Sequence, residues 1–322
     1  MVGEEASVET TVQAYPDKVT DLPLVSMLIA SYRSGTLLYE AVNSVLLQDY
    51  PRLELLVCDD GSEEFDEPAL FDLWKDASVP TTLIRQHVNV GTVKNLNAGL
   101  RQSTGEYLLF FAADDLLASP TVVRELVHLA QRSASPWVMG RTQVCDTALR
   151  PTGKLLPTAA HTLWLKDSHT FYGALCLDCF LPACGNLYAR ALLEQVDFLD
   201  ERFRLVEDWP LMLKLARAGC LPAVSDVVTV YRRSGGVSNH KPSENQRYQR
   251  DLIDVMQWEI LPNLGQLNAS SQQKIRRQCA DKEDIYGLRF ETARRSAKLY
   301  WAVRHLPLLW RKALRYRKGG ST

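Results

Sequence analysis

One stretch constrains the fold of this chain more than any other. Tyr107–Ala113 is a run of seven uncharged, mostly apolar residues that ends at two adjacent acids, Asp114 and Asp115. A strand covered on both faces, as in a parallel sheet flanked by helices, has this length and composition. The carboxylates then stand at the sheet edge where α/β proteins bind ligands, and they favour a divalent cation holding a phosphate-bearing substrate. The alternative is a strand-to-helix turn in which Asp115 or Ser119 caps the next helix.

The residues before this run alternate between strand and helix patterns. Leu24–Ala30 reads as a buried strand, Leu38–Leu46 has apolar residues at helical spacing, and Leu53–Cys58 reads as a second buried strand. This order predicts a parallel βαβ unit, so Asp60, just after the second strand, should lie at the same sheet edge as Asp114. Two further strand and helix pairs extend the alternation, which is typical of a doubly wound α/β half.

The pattern becomes irregular beyond Trp137. Pro151–Phe180 is rich in Thr, His and aromatic residues without a regular period, so we expect a long loop with a functional role. A predicted helix and a predicted strand, Ala223–Tyr231, follow, and helix patterns alone fill the last eighty residues. The sequence therefore predicts three parts, which are a disordered tail at 1–21, an α/β domain at 22–238 and a helical region at 239–322.

Composition bounds the class of protein. The chain has 322 residues, 46% of them hydrophobic, and a net charge of −1, which suits a large soluble domain with an appendage. The first twenty residues contain four acids and lack an apolar segment, so they resemble neither a signal peptide nor a membrane anchor. No uncharged window reaches the roughly 20 residues of a spanning helix. Seven cysteines, an odd number, favour reduced thiols and a cytoplasmic location.

Five blocks of sequence, taken in order, resemble family 2 glycosyltransferases of the GT-A fold. They are SMLIASYRSG, SVLLQDYPRLELLVCDDGS, NVGTVKNLNAGL, GEYLLFFAADDLL and EDWPLMLKLARAG, which fall within residues 22–238. The resemblance implies an α/β GT-A fold with a mostly parallel sheet flanked by helices and a C-terminal helical appendage. It also implies an inverting, metal-dependent transfer of a sugar from a nucleotide-diphosphate donor, expected to carry UDP, to a saccharide or lipid-linked saccharide acceptor. The expected setting is bacterial surface polysaccharide biosynthesis.

The resemblance assigns the donor side of the site. Ala30, Tyr32 and Asp60 match positions that line the nucleotide base, with the Asp60 carboxylate accepting a hydrogen bond from a uracil-like ring. Asp60 has an alternative role as a turn cap ahead of the glycine that follows it. Asp114 and Asp115 match the motif that holds Mg²⁺ or Mn²⁺ on the diphosphate, with Asp115 as the direct ligand and Asp114 contacting the sugar or ribose.

One position departs from the family motif. The fuller motif begins with a carboxylate where this chain has Ala112, which weakens the prediction of tight metal binding. Two other assignments fall on the loop after the strand that ends at Tyr231. Arg232 is expected to pair with the diphosphate. His240 is a candidate metal or phosphate contact, although a solvated loop histidine is the alternative.

The resemblance places the catalytic base at Glu207-Asp208. An acid is needed there because the acceptor hydroxyl must lose its proton as it attacks the anomeric carbon. Asp208 is the favoured base and Glu207 the alternative. The competing interpretation is electrostatic, since acids in a first helical turn stabilise the helix dipole. A further alternative at the level of function is a scaffold that binds nucleotide sugars without turnover, or a sugar nucleotidyltransferase. The chain has neither GxGxxG after a strand nor GxxxxGK[ST], so both usual nucleotide-binding signatures are missing.

Two other features remain. Cys176, Cys179 and Cys184 resemble half of a zinc site, but no second pair has ligand spacing, so we interpret them as thiols. Residues 306–318 interleave apolar and basic side chains and are predicted to lie on an anionic membrane surface, which suggests a peripheral protein at the inner face of the cell membrane. A solvated helix or a nucleic-acid patch is the alternative for this tail, and we expect no nucleic-acid partner.

Overall fold

A computed structural model describes residues 8–12, 21–233 and 245–286 of the chain. Ten strands occur within these residues, namely β1 (Val8–Val12), β2 (Val25–Ser31), β3 (Leu53–Asp59), β4 (Thr81–Gln86), β5 (Tyr107–Ala112), β6 (Asp115–Leu117), β7 (Trp137–Cys145), β8 (Pro151–Leu156), β9 (Asn186–Ala189) and β10 (Ala223–Arg233).

The same residues contain ten α-helices, namely α1 (Thr36–Leu46), α2 (Glu67–Trp74), α3 (Thr92–Gln102), α4 (Val122–Ser133), α5 (Ala159–Thr162), α6 (Ser168–Leu175), α7 (Arg190–Gln195), α8 (Asp208–Arg217), α9 (Gln246–Val255) and α10 (Ala269–Tyr286). Short 3₁₀ segments lie at Leu163–Lys166 and Leu261–Gln266, and a π-helical turn lies at Met256–Ile260. No described helix is long and apolar enough to cross a membrane.

The strands form one mixed sheet in the order β1-β4-β3-β2-β5-β9-β7-β10-β6, with β8 paired to β7. Strands β4, β3, β2 and β5 are parallel to one another, and so are β7 and β10. Strands β1, β6, β8 and β9 join their neighbours in antiparallel pairs. The predicted α/β fold is confirmed, with the parallel half formed by the strands whose uncharged runs predicted burial on both faces.

The core follows from the sequence periodicities. All seven residues of β3 are buried, because helices cover both faces of the parallel strands. Helix α1 buries the four apolar residues at helical spacing, Leu38, Ala41, Val42 and Val45. Beyond the parallel half, Tyr188 on β9 stacks between Phe110 and Trp137, with ring centroids 5.7 Å from each. This aromatic stack connects β5 to the antiparallel part of the sheet.

Two predictions require correction. Val8–Val12 lies within the tail predicted to be disordered, but these five residues form a strand that pairs with β4. They are Val, Glu, Thr, Thr and Val, and β-branched residues fit the pleated edge of a sheet, which outweighed the acidic composition used for the prediction. Pro151–Phe180 is not a structureless loop, because it contains β8, α5 and α6.

The described residues fall into two compact units. The larger takes the described residues up to Leu175 and those within Cys179–Leu252, and it contains the sheet; the smaller takes Cys176–Asp178 and the described residues from Ile253 onward. In the smaller unit, the Gln278 side chain donates a hydrogen bond to the Leu177 carbonyl at 3.1 Å. The predicted domain boundary at residue 238 and the basic segment 306–318 lie outside the described residues.

Candidate active site

The carboxyl ends of β2, β3 and β5 bring three predicted loops to one sheet edge. Ala30 on β2 stands in register with Cys58 on β3 and with Ala112 on β5. Two backbone hydrogen bonds continue the pairing past the strands, from Asp60 N to the Ser31 carbonyl at 2.8 Å and from Ala113 N to the Ala30 carbonyl at 2.9 Å. The prediction that Asp60 and Asp114 lie at the same edge is therefore confirmed.

The paired acids lie where the turn after β5 enters β6, with Asp115 as the first residue of that strand. Asp115 is 5% exposed and stands opposite Arg232 of β10 in an antiparallel pair, while Asp114 is half-buried. The backbone thus brings Arg232 next to the acids, and its side chain and His240 lie outside the described residues. Among the residues that the structure describes, no group of three His, Cys, Asp or Glu side chains is arranged to hold a metal ion. Two adjacent carboxylates still fit a Mg²⁺ site, since this ion usually completes its shell with substrate phosphates and waters.

The end of β2 and the loop after it contain the predicted base-lining residues. Ala30 is half-buried, and Tyr32 is 42% exposed with the Arg33 guanidinium 5.1 Å from its ring centroid. Arg33 has a φ of +51°, which is uncommon for a residue other than glycine. Its backbone N–H donates to the Ser62 hydroxyl at 2.7 Å, which fixes this loop to the one after β3.

The turn after β3 is capped by Asp59, not by Asp60. The Asp59 carboxylate accepts hydrogen bonds from the Ser62 backbone N–H at 2.9 Å and from the Ser62 hydroxyl at 2.6 Å. Arg85 lies 3.7 Å from Asp59 and donates to the Ser62 carbonyl at 3.0 Å. The role of turn cap that was considered for Asp60 is thus filled by Asp59, and the Asp60 carboxylate makes a different contact.

Asp60 joins the turn after β3 to the loop before α3. Its carboxylate accepts from the Val90 N–H at 2.7 Å and from the Gly91 N–H at 2.9 Å, and the residue is 4% exposed. Burial raises the pKa of the Asp60 carboxyl, while these two amides and the Arg204 charge act in the opposite direction. Each carboxylate oxygen has a second lone pair, so the predicted contact with a nucleotide base is compatible with this loop-joining role.

Arg204 connects that loop to the segment before α8. Its guanidinium donates to the carbonyl and to the side-chain oxygen of Asn89, and its carbonyl accepts from the Val93 N–H at 3.2 Å. Gly91 packs so closely on Arg204 that an added Cβ would lie 2.4 Å from the Arg204 Cγ. These contacts join the Asp60 loop to a segment that ends four residues later at Asp208.

Asp208 and Glu207 stand at the start of α8. Asp208 Oδ1 accepts from the Trp209 N–H at 2.7 Å, and the Cys179 thiol lies 3.8 Å from Asp208 Oδ2. Burial, followed by the charges of Asp208 and Glu207, raises the pKa of Tyr188 well above its usual value. Acids at this position also stabilise the helix dipole, so the electrostatic alternative coexists with a catalytic role.

Sequence reasoning missed Asp59, Arg204 and Cys179. Asp59 had a visible signal, because an acid three residues before Ser62 is a common turn arrangement. Arg204 and Cys179 had none, since their partners lie 115 and 29 residues away in the chain.

A comparison with known protein families identifies the family to which this chain belongs. The family model described as Glycosyl transferase family 2 matches residues 26–195, more than half of the chain. The chain belongs to glycosyl transferase family 2. The family predicted from the five blocks is thereby confirmed, and the protein is a glycosyltransferase. Asp208 lies beyond the matched segment, and its assignment as the base stays a prediction.

A curated relative and two solved structures extend the likeness. The Escherichia coli protein named UDP-Glc:alpha-D-GlcNAc-diphosphoundecaprenol beta-1,3-glucosyltransferase WfaP is 28% identical over 238 residues, covering 73% of this glycosyltransferase and 87% of WfaP. The crystal structure of S. aureus TarS 1–349 in complex with UDP-GlcNAc matches with a TM-score of 0.58 at 18% identity, covering 82% of this chain and 73% of that one. Mannosyltransferase PcManGT from Pyrobaculum calidifontis in complex with GDP-Man and Mn²⁺ matches with a TM-score of 0.52 at 17% identity, covering 92% and 84%. The predicted GT-A fold is confirmed.

Proposed function

We propose that this glycosyltransferase moves a sugar from a UDP-linked donor to a lipid-linked saccharide, with inversion at the anomeric carbon. The observation that carries the proposal is the chain of contacts from Asp60 through the 89–93 loop and Arg204 to Asp208, because it holds the predicted donor and base segments together. The names of WfaP and of the TarS complex support a UDP-linked donor.

The donor would lie along the shared sheet edge. Tyr32 offers an exposed ring for the base, and the carboxylates of Asp114 and Asp115 face the diphosphate end of the same edge in this proposal. A Mg²⁺ or Mn²⁺ ion held by Asp115, with Asp114 beside it, would neutralise negative charge on the departing diphosphate. Arg232, opposite Asp115 in the sheet register, supplies a further positive charge near that end.

The chemical step requires one base. Asp208 takes the proton of an acceptor hydroxyl while the hydroxyl oxygen forms a bond to the anomeric carbon and the bond from that carbon to the diphosphate oxygen breaks. A single displacement of this kind inverts the anomeric configuration. Asp208 is taken as the base, with Glu207 as the alternative. The Trp209 N–H donates to one Asp208 oxygen and the Cys179 thiol lies 3.8 Å from the other, which positions the carboxylate.

The acceptor side is assigned to the aromatic segment before Cys179. Trp164, which is 38% exposed, contacts Phe180 with ring centroids 4.9 Å apart and stacks on His161 at 5.3 Å. Phe180 follows Cys179 directly in the chain, so aromatic rings lie close to the base. The name of WfaP specifies a saccharide linked to diphosphoundecaprenol, and an acceptor of that class places the reaction at a membrane surface. The basic segment 306–318 is proposed to contact that surface.

The test of this proposal combines a donor panel with one substitution. A panel of UDP- and GDP-linked sugars with a synthetic N-acetylglucosamine diphosphate lipid should release nucleoside diphosphate, and chelation of divalent cations should stop the release. Asp208→Asn should still bind the donor in calorimetry, with transfer reduced by roughly 10²–10⁴-fold. Asp226→Asn removes a 95% exposed carboxylate and is the matched control, expected to keep full activity.

Three outcomes would contradict the proposal. Release of pyrophosphate in place of nucleoside diphosphate would identify a nucleotidyltransferase. Donor binding without turnover by the unaltered protein under every panel condition would identify a scaffold. Full activity of Asp208→Asn would remove the assigned base.

A further inference from the structure

A carboxylate on α9 binds the segment that leads to the proposed base. Asp251 is 7% exposed, and its Oδ2 atom accepts hydrogen bonds from three successive backbone N–H groups. The donors are Arg204 N at 2.9 Å, Leu205 N at 2.5 Å and Val206 N at 3.2 Å. Three consecutive amides that converge on one anion form a backbone nest.

The segment bound by Asp251 is not part of any regular secondary structure. Residues 204–207 belong to neither a helix nor a strand, and α8 begins at Asp208. Val206 is 2% exposed, so its N–H requires a partner inside the protein. Asp251 provides that partner, and its negative charge makes each of the three bonds stronger than a bond to a neutral acceptor.

The segment also lies between the two ends of the proposed site. In one direction, Val206 is two residues from Asp208. In the other direction, Arg204 contacts Asn89 and Val93 and packs on Gly91, whose N–H binds Asp60. A shift of residues 204–206 would therefore displace the base and the loop around Asp60 together.

We propose that Asp251 is a positioning residue for glycosyl transfer, which acts by fixing residues 204–206 and thereby Asp208. The inference rests on the proposed function. It concerns a residue outside the segment that the family model matches, which ends at residue 195. No local sequence pattern points to Asp251, because its partners lie 45 to 47 residues away in the chain.

A second buried carboxylate provides the matched control. Glu54 is 8% exposed and accepts from the Ser26 hydroxyl at 2.5 Å, from Thr104 N at 2.7 Å and from Gly105 N at 3.1 Å. Its contacts lie at the amino ends of β2, β3 and β5, at the opposite edge of the sheet from the proposed site. Glu54→Gln thus weakens a similar set of bonds without touching the segment before α8.

The experiment compares steady-state kinetics and thermal unfolding of Asp251→Asn and Glu54→Gln, with the donor identified by the panel above. Both variants should melt at a lower temperature than the unaltered protein. In Asp251→Asn, kcat should fall roughly tenfold or more and the KM for the donor should rise, since small displacements of catalytic groups reduce rates strongly. In Glu54→Gln, the kcat calculated for the folded protein and the KM for the donor should both stay within about twofold of the unaltered values, because the contacts of Glu54 do not reach the site.

Asp251→Glu guards against a variant that does not fold. It keeps the negative charge and moves it by one methylene group, so it should fold and show an intermediate kcat. Unchanged kcat and donor KM in folded Asp251→Asn or Asp251→Glu would overturn the inference, as would equal losses in Glu54→Gln. The proposed function fails separately, through the nature of the released product or through full activity of Asp208→Asn.

Discussion

Gly91→Ala tests the contact between the Asp60 loop and the segment before α8. Gly91 precedes α3 with φ +97° and ψ 156°, and its N–H donates to Asp60 Oδ2 at 2.9 Å. An added Cβ would lie 2.4 Å from Arg204 Cγ and 2.7 Å from the Arg204 carbonyl oxygen. The Cγ belongs to a flexible side chain and can move away. The carbonyl oxygen belongs to the backbone and accepts the Val93 N–H, so moving it disturbs the whole contact.

The expected loss of stability has two parts. The backbone conformation of Gly91 is essentially restricted to glycine, and holding another residue there costs about 1–3 kcal/mol. Forcing the Arg204 backbone away from an added methyl group costs about 1–3 kcal/mol more. A combined loss of about 4 kcal/mol corresponds to a melting temperature lowered by roughly 8–16 °C, at 2–4 °C per kcal/mol.

The assay pairs thermal unfolding with donor binding, and Gly219→Ala is the control. Gly219 also has a positive φ, +84°, but no atom lies within 4 Å of its added Cβ, so only backbone strain of about 1–2 kcal/mol is expected. Gly91→Ala should also weaken donor binding, because the amide that holds Asp60 moves, whereas Gly219→Ala should not. If Gly91→Ala melts no lower than Gly219→Ala and binds the donor normally, the packing of Gly91 against Arg204 does not have the proposed importance.

Two further predictions follow from individual contacts. Burial alone would raise the pKa of Asp200, but hydrogen bonds from Arg202 and Lys214 outweigh it and hold the pKa well below its usual range. The stabilisation is present above the unfolded pKa of about 3.9 and is lost as the pH falls through the lower folded pKa. Asp200→Asn should therefore melt at a lower temperature than the unaltered protein at pH 7, and the difference in melting temperature should narrow below about pH 4. A difference that stays constant with pH would refute this prediction. The partly exposed Cys179 thiol lies 3.8 Å from Asp208, so alkylation by N-ethylmaleimide should abolish transfer. Cys179→Ala loses the thiol contact to the base and should show reduced transfer that N-ethylmaleimide does not lower further; continued inactivation of that variant would place the reactive thiol elsewhere.

The parallel half of the sheet, and the edge where its acids lie, could be predicted from the sequence alone. Residues 25–31 and 107–112 contain no charged side chain, and 53–59 contains two acids near its ends with an apolar run between them; strands with that pattern are covered on both faces. The alternation with helices then fixes their direction, so the ends of β2, β3 and β5 must meet at one edge. The position of Asp60 and of Asp114 followed from that argument, and the roles assigned to them remain proposals.

The residues that hold those acids in place are visible only in the folded chain. Asp59 caps the turn that was considered for Asp60, and Asp60 binds the amides of a loop thirty residues away. Arg204 and Asp251 join that loop to the start of α8 through contacts across 115 and 47 residues. The physical reason is that burial leaves a periodic signal in the local sequence, whereas a hydrogen bond between irregular segments depends on where the whole chain brings them.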